Sequence, residues 1–235
     1  MKTEQFKPSR MSARCRMIVS AAGVVLIAML MVEPGYAINS PAKGEVPAGA
    51  GASQPAQGVY ALDPPHTFVY FTAQHMVVGR VRGRFDKTAG TITVADPAAS
   101  TVDVSIESAG ISTQNSVRDN DLRGPDFFNA AKFPRIEYHG RGVRKSGDGW
   151  VVEGALTIRG TTRSVPMAFM FKGTAPAQQG KPGRVAFHGT AAVKRADFGM
   201  ARELLDEIGV VSASPDVWIE IDAELLAVTP AAPAR

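Results

Sequence analysis

Cysteine is almost absent from this sequence of 235 residues, in which Cys15 is the only one. Cys15 lies just before an uncharged apolar stretch, residues 17–32, in the part of the chain that we expect to be removed on export. The remaining chain would then have no disulfide and no reactive thiol. Its stability must therefore come from a hydrophobic core.

Recognisable catalytic motifs are also missing. The sequence contains no HExxH, GxSxG, P-loop or CxxC pattern. His66 and His75 lie an odd number of residues apart on one predicted strand, so a regular strand would point them to opposite faces. That arrangement is unsuited to a shared metal site. We therefore predict a protein that is not an enzyme, with no catalytic residue and no metal ligand.

A strong excess of one charge is absent once the N-terminus is set aside. The whole chain carries 26 Lys/Arg and 22 Asp/Glu, a formal net charge of +4. Residues 38–235 contain 21 basic and 20 acidic side chains, because five bases fall within the first 37 residues. A balanced surface argues against nucleic acid as a partner.

The first 37 residues have the order of a secretory signal peptide. A basic leader precedes the apolar stretch 17–32, and small residues, Gly35 and Ala37, follow it. Sixteen apolar residues are short for a membrane span, which needs about 20, although an uncleaved anchor is the alternative. Adjacent arginines are absent, so a Sec-type route and a periplasmic location are expected. We predict a signal peptide at 1–37, a flexible Pro/Ala/Gly-rich linker at 38–57, a folded unit at 58–228 and a disordered tail at 229–235.

Within the folded unit, apolar residues alternate with polar ones, which is typical of half-buried β-strands. The pattern predicts eight or nine strands with short connections. Two segments depart from it and predict short helices, one at 112–123 with Ser112 as its N-cap and one at 201–208. Antiparallel strands in this number must close into a barrel or stack as a sandwich to remove their edges.

Small residues occur at several positions that the alternation assigns to the inner face. They are Gly83, Gly154, Gly189, Ala73, Ala191 and Ala223. Small inward residues either leave room for a ligand or fit the taper of a barrel filled by its own side chains. The pattern alone does not choose between these interpretations.

Five segments, in order along the folded unit, carry a resemblance to a known family. They are residues 60–75, 81–85, 118–136, 154–162 and 195–200, and they include Asp63-Pro64-Pro65-His66-Thr67, Arg118-Asp119-Asn120-Asp121-Leu122-Arg123 and Arg195-Ala196-Asp197-Phe198-Gly199-Met200. Together they resemble the YceI-like family of periplasmic lipid- and polyisoprenoid-binding proteins. Two features depart from the family pattern: Thr67 stands where Ser is usual, and residues 201–215 form a longer connection.

The resemblance implies an all-β fold, an eight-stranded antiparallel lipocalin-like barrel with a short helix near its open end. It also implies a periplasmic binding or carrier protein for a long apolar isoprenoid lipid, of prenyl quinone or prenyl phosphate type. No cofactor beyond that bound lipid is expected, although transient membrane-surface contact and a homodimer are compatible with it. The residues expected to line the ligand site are Val69, Phe71, Ala73, His75, Phe85, Phe127, Phe128, Phe133, Ile136, Tyr138, Gly154, Leu156, Phe169 and Ala191.

Several alternatives stay open. Asp63 and His66 could hold a polar head group or act on it as an acid–base pair, or they could form a local Asx-type turn. The run Arg80, Arg82, Arg84 should face solvent, either as an aggregation-resistant edge or as a site for anionic lipid. The phenylalanines at 127, 128 and 133 could plug the barrel or line its opening. A solidly packed structural or stress-related interaction module is the alternative to a carrier.

Overall fold

The computed structural model describes residues 54–76, 78–200 and 213–228. The predicted signal peptide, most of the predicted linker, the second predicted helix at 201–208 and the predicted tail lie outside the described residues. The last four residues of the predicted linker, 54–57, are described and belong to no helix or strand.

The described chain is built almost entirely from β-strands, as the alternation predicted. Ten strands and one α-helix follow one another as β1 (Gly58–His75), β2 (Gly79–Phe85), β3 (Thr88–Val94), β4 (Thr101–Glu107), β5 (Ile111–Ser112), α1 (Ser116–Arg123), β6 (Arg135–Ser146), β7 (Gly149–Ile158), β8 (Thr161–Ala175), β9 (Arg184–Lys194) and β10 (Ala213–Ala227).

These strands form one antiparallel sheet that closes on itself. β1 pairs with β10 along most of its length, from Tyr60↔Ala227 to His75↔Ala213. On its other edge, β1 pairs with β3 near its start and with β2 near its end. β2 and β3 therefore occupy a single position in the barrel, and the very short β5 extends the line of β4 beside β2. The predicted eight-stranded antiparallel lipocalin-like barrel with a short helix is confirmed.

The helix begins later than the sequence predicted. Asn115, rather than Ser112, is its N-cap, and the Asn115 side chain accepts a hydrogen bond from the backbone N–H of Arg118. Ser112 instead pairs with Arg84 as part of β5. Both residue types are good caps, so the choice was made by strand pairing rather than by capping preference.

Charged side chains fasten α1 to the barrel. The buried carboxylate of Asp119 accepts hydrogen bonds from the backbone N–H (2.7 Å) and the hydroxyl (2.6 Å) of Thr113. Arg118 donates to Thr113 as well, and Arg123 donates to the backbone carbonyls of Ala109 and Ile111. The polar residues of the segment 118–123 thus hold the helix over one end of the barrel, which we call the helix end.

Two groups of buried hydrophobic residues fill parts of the barrel. The larger group lies towards the helix end and includes Val69, Phe85, Ile111, Val152 and Phe198. The smaller group lies near the opposite end, where β1 begins and β10 finishes, and consists of Tyr60, Leu62, Val185, Phe187, Ala223 and Leu225. Members of both groups, such as Val69 and Phe187, also border a space inside the barrel.

Candidate functional site

A cavity of about 640 Å³ occupies the barrel interior. Its wall comes from inward-facing residues of the barrel strands, such as Val104, Met167 and Ile219, and is mostly apolar. The cavity extends from Gln57 and Pro97 near the opposite end to Arg118 and Met200 at the helix end. Its size lies within the range of about 300–1,000 Å³ that is typical of small-molecule sites.

The structure places most of the predicted site residues around this cavity. Those that line it are Val69, Phe71, Ala73, His75, Phe85, Phe127, Phe128, Ile136, Tyr138, Leu156, Phe169 and Ala191. They come from β1, β2, β6, β7, β8, β9 and the segment after α1. That they contact a ligand stays a prediction.

Phe133 and Gly154, which were also predicted for the site, do not line the cavity. The Phe133 ring lies against the β7–β8 turn, where a Cβ on Gly160 would come within 3.1 Å of it. Gly154 lies beneath the ring of Tyr138, where an added Cβ would meet the Cζ atom at 2.2 Å. The space above Gly154 is therefore filled by a protein side chain and not by the void.

Other small inward residues divide between the two interpretations that the sequence left open. Gly83 is covered by the ring of Phe71, since a Cβ there would meet Cζ at 2.3 Å. Gly189 lines the cavity, and its nearest neighbour for an added Cβ is Met167 Sδ at 3.6 Å, an ordinary contact. Ala191 and Ala223 also border the void. Some small residues thus accommodate aromatic rings and others enlarge the cavity.

The phenylalanines after α1 belong partly to the core and partly to the cavity wall. Phe128 packs edge-to-face against Phe85, with ring centroids 5.6 Å apart. Phe127 and Phe128 both line the cavity, beside Leu122 of the helix. Phe128 therefore belongs both to the core and to the cavity wall, so closing this end of the barrel and lining the cavity are compatible roles.

Charged residues that the sequence pattern did not indicate lie at the helix end of the cavity. Arg118 and Asp121 of α1 and Arg195 after β9 border it. Arg195 donates hydrogen bonds to the backbone carbonyls of Ser214 (2.9 Å) and Ala213 (3.3 Å), and burial lowers the pKa of its guanidinium. The segments 118–136 and 195–200 carried the family resemblance, but strand alternation could not assign their side chains to a face.

Asp63 and His66 are close together but lie outside the cavity wall. The Asp63 carboxylate contacts Arg184 Nη1, and it lies 2.8 Å from His66 Nδ1. Arg184 also reaches Glu224 Oε2 at 3.1 Å. The hydrogen bond from Arg184, followed by that from His66, lowers the pKa of Asp63 despite its burial. Within the described residues the partners of the Asp63 side chain are thus other side chains, whereas an Asx turn would use backbone N–H groups.

Two groups of side chains in the described ranges bring possible metal-ligand atoms within 4.8 Å of one another. Asp63, His66 and Glu224 form one, and His188, Glu220 and Asp222 form the other. Each group already has a cation among its contacts, because Arg184 contacts Asp63 and Arg82 pairs with Glu220 at 3.0 Å. Neither arrangement of ligand atoms faces the apolar interior.

Tyr138 lines the cavity and carries a buried hydroxyl that is hydrogen-bonded to the barrel backbone. Its hydroxyl lies 3.0 Å from the carbonyl oxygen of Val165 and 3.3 Å from that of Val152, to which it donates. Burial, with a smaller contribution from the charge of Glu153, raises the pKa of Tyr138 to about 12. The phenol is therefore neutral over the physiological range.

Raising the pH from 10 to 12 should destabilise the protein through Tyr138. An unfolded tyrosine ionises near pH 10, whereas the folded one retains its proton to about pH 12. The contribution of the Tyr138 proton to the free energy of unfolding is complete below pH 10. It falls by up to about 3 kcal/mol as the pH rises towards 12. Denaturation of the wild type and of Tyr138→Phe at several pH values measures it. Identical alkaline slopes for the two proteins would contradict it.

No helix in the described ranges has the length and hydropathy needed to cross a membrane. The architecture is a closed antiparallel barrel, with one helix over an end and an apolar void inside. These features define a lipocalin-like barrel, a class whose interior has room for one ligand.

The chain belongs to the YceI-like family, whose domain model matches residues 60–225. Protein YceI of Escherichia coli is 30% identical over 175 residues, which cover 74% of this chain and 89% of that protein. A UPF0312 protein of Yersinia pestis is 32% identical over 157 residues, covering 66% of this chain and 81% of the relative. The predicted family membership is confirmed.

Solved structures agree with the fold. The YCEI protein of Campylobacter jejuni is 28% identical and superposes with a TM-score of 0.56, covering 66% of this chain and 90% of the other. A polyisoprenoid binding domain from Saccharophagus degradans is 15% identical, with a TM-score of 0.58 over 74% of this chain and 100% of the other. At that identity the likeness concerns the fold alone.

Proposed function

We propose that this protein binds a long apolar isoprenoid lipid, of prenyl quinone or prenyl phosphate type, inside the barrel. The observation that carries the proposal is the apolar cavity of about 640 Å³, which runs between the two ends of the barrel. A flexible hydrocarbon chain matches such a wall, because it needs few polar partners. A barrel packed solid, as the structural-module alternative requires, would have no such void.

The wall provides enough binding energy without special polar contacts. Burial of each CH₂ group contributes about 0.8 kcal/mol. A ligand of about 30 heavy atoms, at about 0.3 kcal/mol per atom, would gain about 9 kcal/mol, which corresponds to roughly micromolar or tighter binding.

Relatives and chain organisation support the same proposal. The fold is shared with a domain described as polyisoprenoid binding. The basic, apolar and small-residue order of the first 37 residues supports export to the periplasm. We infer binding rather than catalysis because Asp63 and His66, the acid–base pair proposed from the sequence, lie outside the cavity wall.

Native lipid extraction tests the proposal. We expect the protein, purified from the periplasm of an expressing bacterium and extracted with organic solvent, to release an isoprenoid detectable by mass spectrometry. Protein that is recovered empty should then take up an added prenyl quinone or prenyl phosphate. A barrel that is empty and stays empty with both lipids contradicts the proposal.

A further inference from the structure

Exposed residues border the cavity at both ends of the barrel, Gln57 and Pro97 at the opposite end among them, and α1 lies beside the helix end. His75, the last residue of β1, borders the cavity there and is exposed to solvent. Arg118 of α1 and Ala213, the first residue of β10, border it at the same end. The hairpin that joins β1 to β2 and the helix α1 therefore flank this opening.

Both flanking elements carry a strongly exposed valine. Val78, in the turn between β1 and β2, is 92% exposed, and Val117 in the first turn of α1 is 71% exposed. The other exposed large hydrophobic residues in the described ranges are at most half exposed, among them Val59 at 42% and Val228 at 46%, which lie at the opposite end. Single exposed apolar residues are ordinary, but the two most exposed ones lie beside the same opening.

A cation accompanies the valine of the hairpin. Arg80 is exposed two residues beyond Val78 and forms no ion pair within the described part of the chain. Arg82 and Arg84 also face solvent, as the sequence predicted, but they are paired with Glu220 at 3.0 Å and Asp86 at 2.6 Å. An apolar tip beside an exposed guanidinium suits the boundary between acyl chains and anionic head groups.

We propose that Val78, Arg80 and Val117, which we call the rim, dock the helix end of the barrel onto a phospholipid bilayer. This inference rests on the proposed function, because docking would let an isoprenoid pass between membrane and cavity without crossing water. Complete burial of one valine strengthens binding by roughly tenfold. Two valines and one arginine therefore give a weak and reversible contact, as a carrier requires.

Cosedimentation with vesicles of mixed phosphatidylethanolamine and phosphatidylglycerol tests the rim. We expect the wild type to bind and Val78→Ser/Val117→Ser to bind roughly a hundredfold more weakly, about tenfold for each valine. Arg80→Ser should reduce the salt-sensitive part of the binding. The matched control is Val59→Ser/Val228→Ser, which removes two exposed valines from the opposite end and should bind like the wild type. All variants share the same N-terminus, so differences report on the folded unit.

Outcomes separate docking from cargo binding. Absence of wild-type binding to these vesicles, or an equal loss in the rim and control variants, overturns the docking proposal. Uptake of a prenyl lipid from detergent solution should be unchanged in the rim variant. If neither the wild type nor any variant takes up the prenyl lipid, while vesicle binding still depends on the rim, then the docking proposal holds and the proposed function is wrong.

Discussion

Replacing Ala191 with phenylalanine should sharply weaken lipid binding while the barrel remains folded. Ala191 lies on β9 opposite Ile219 of β10, and its side chain borders the cavity. The added ring would occupy space that the proposed ligand needs. Displacing about six ligand atoms, at about 0.3 kcal/mol each, removes about 2 kcal/mol of binding, or roughly thirtyfold in affinity. Titration with a prenyl quinone, alongside native lipid extraction, measures the change.

Ala192→Phe is the matched control for this substitution. Ala192 follows directly on the same strand, but it is exposed and pairs with Trp218 on the outer face. Its ring would point to solvent, so lipid binding should equal that of the wild type. Circular dichroism and thermal unfolding show whether both variants fold. Wild-type affinity in a folded Ala191→Phe protein would mean that the ligand does not occupy this part of the barrel.

Gly154→Ala should destabilise the fold strongly, although it adds only one methyl group. The new Cβ would lie 2.2 Å from Cζ and 2.3 Å from the hydroxyl oxygen of Tyr138. The ring must move, and its hydrogen bonds to the carbonyls of Val152 and Val165 must lengthen or break. Overpacking and the lost hydrogen bonds together should cost about 3 kcal/mol, which lowers the Tm by about 10 °C.

Gly189→Ala is the matched control for Gly154→Ala, because it adds the same methyl group at an inward glycine that no ring covers. An added Cβ there has Met167 Sδ at 3.6 Å as its nearest contact, so no atom needs to move. We expect a stability within about 1 kcal/mol of the wild type, since alanine also lowers the entropy of the unfolded chain. Chemical denaturation of both variants gives the difference. Equal stabilities would show that the Tyr138 ring does not cover Gly154.

The strands and their inward faces were predictable from alternation. Val69, Phe71 and Ala73 recur at every second position, and the structure places all three around the cavity. The number of strands and the need to pair their edges left a barrel and a sandwich open, and only the family resemblance implied the barrel. The start of α1 was not predictable in the same way, because Ser112 and Asn115 are both suitable caps and only the pairing of Ser112 with Arg84 excludes the first.

The cavity wall was predictable only in part. Gly154 and Gly189 look equivalent in the sequence, since both occupy inward positions of long strands. They differ because a tyrosine on β6 covers the first, while no comparable ring covers the second. Arg118 and Arg195 come from segments without strand periodicity, so no pattern indicated that they border the opening.

Local chemistry along the chain determined which segments are extended and which side of each faces inward, because successive side chains of a strand point to opposite faces. The location of the void was decided by the assembled barrel. A void is the space left after residues from distant strands have packed, and its shape depends on which small residue lies beneath which ring. That relation exists only once β6, β7, β8 and β9 stand side by side.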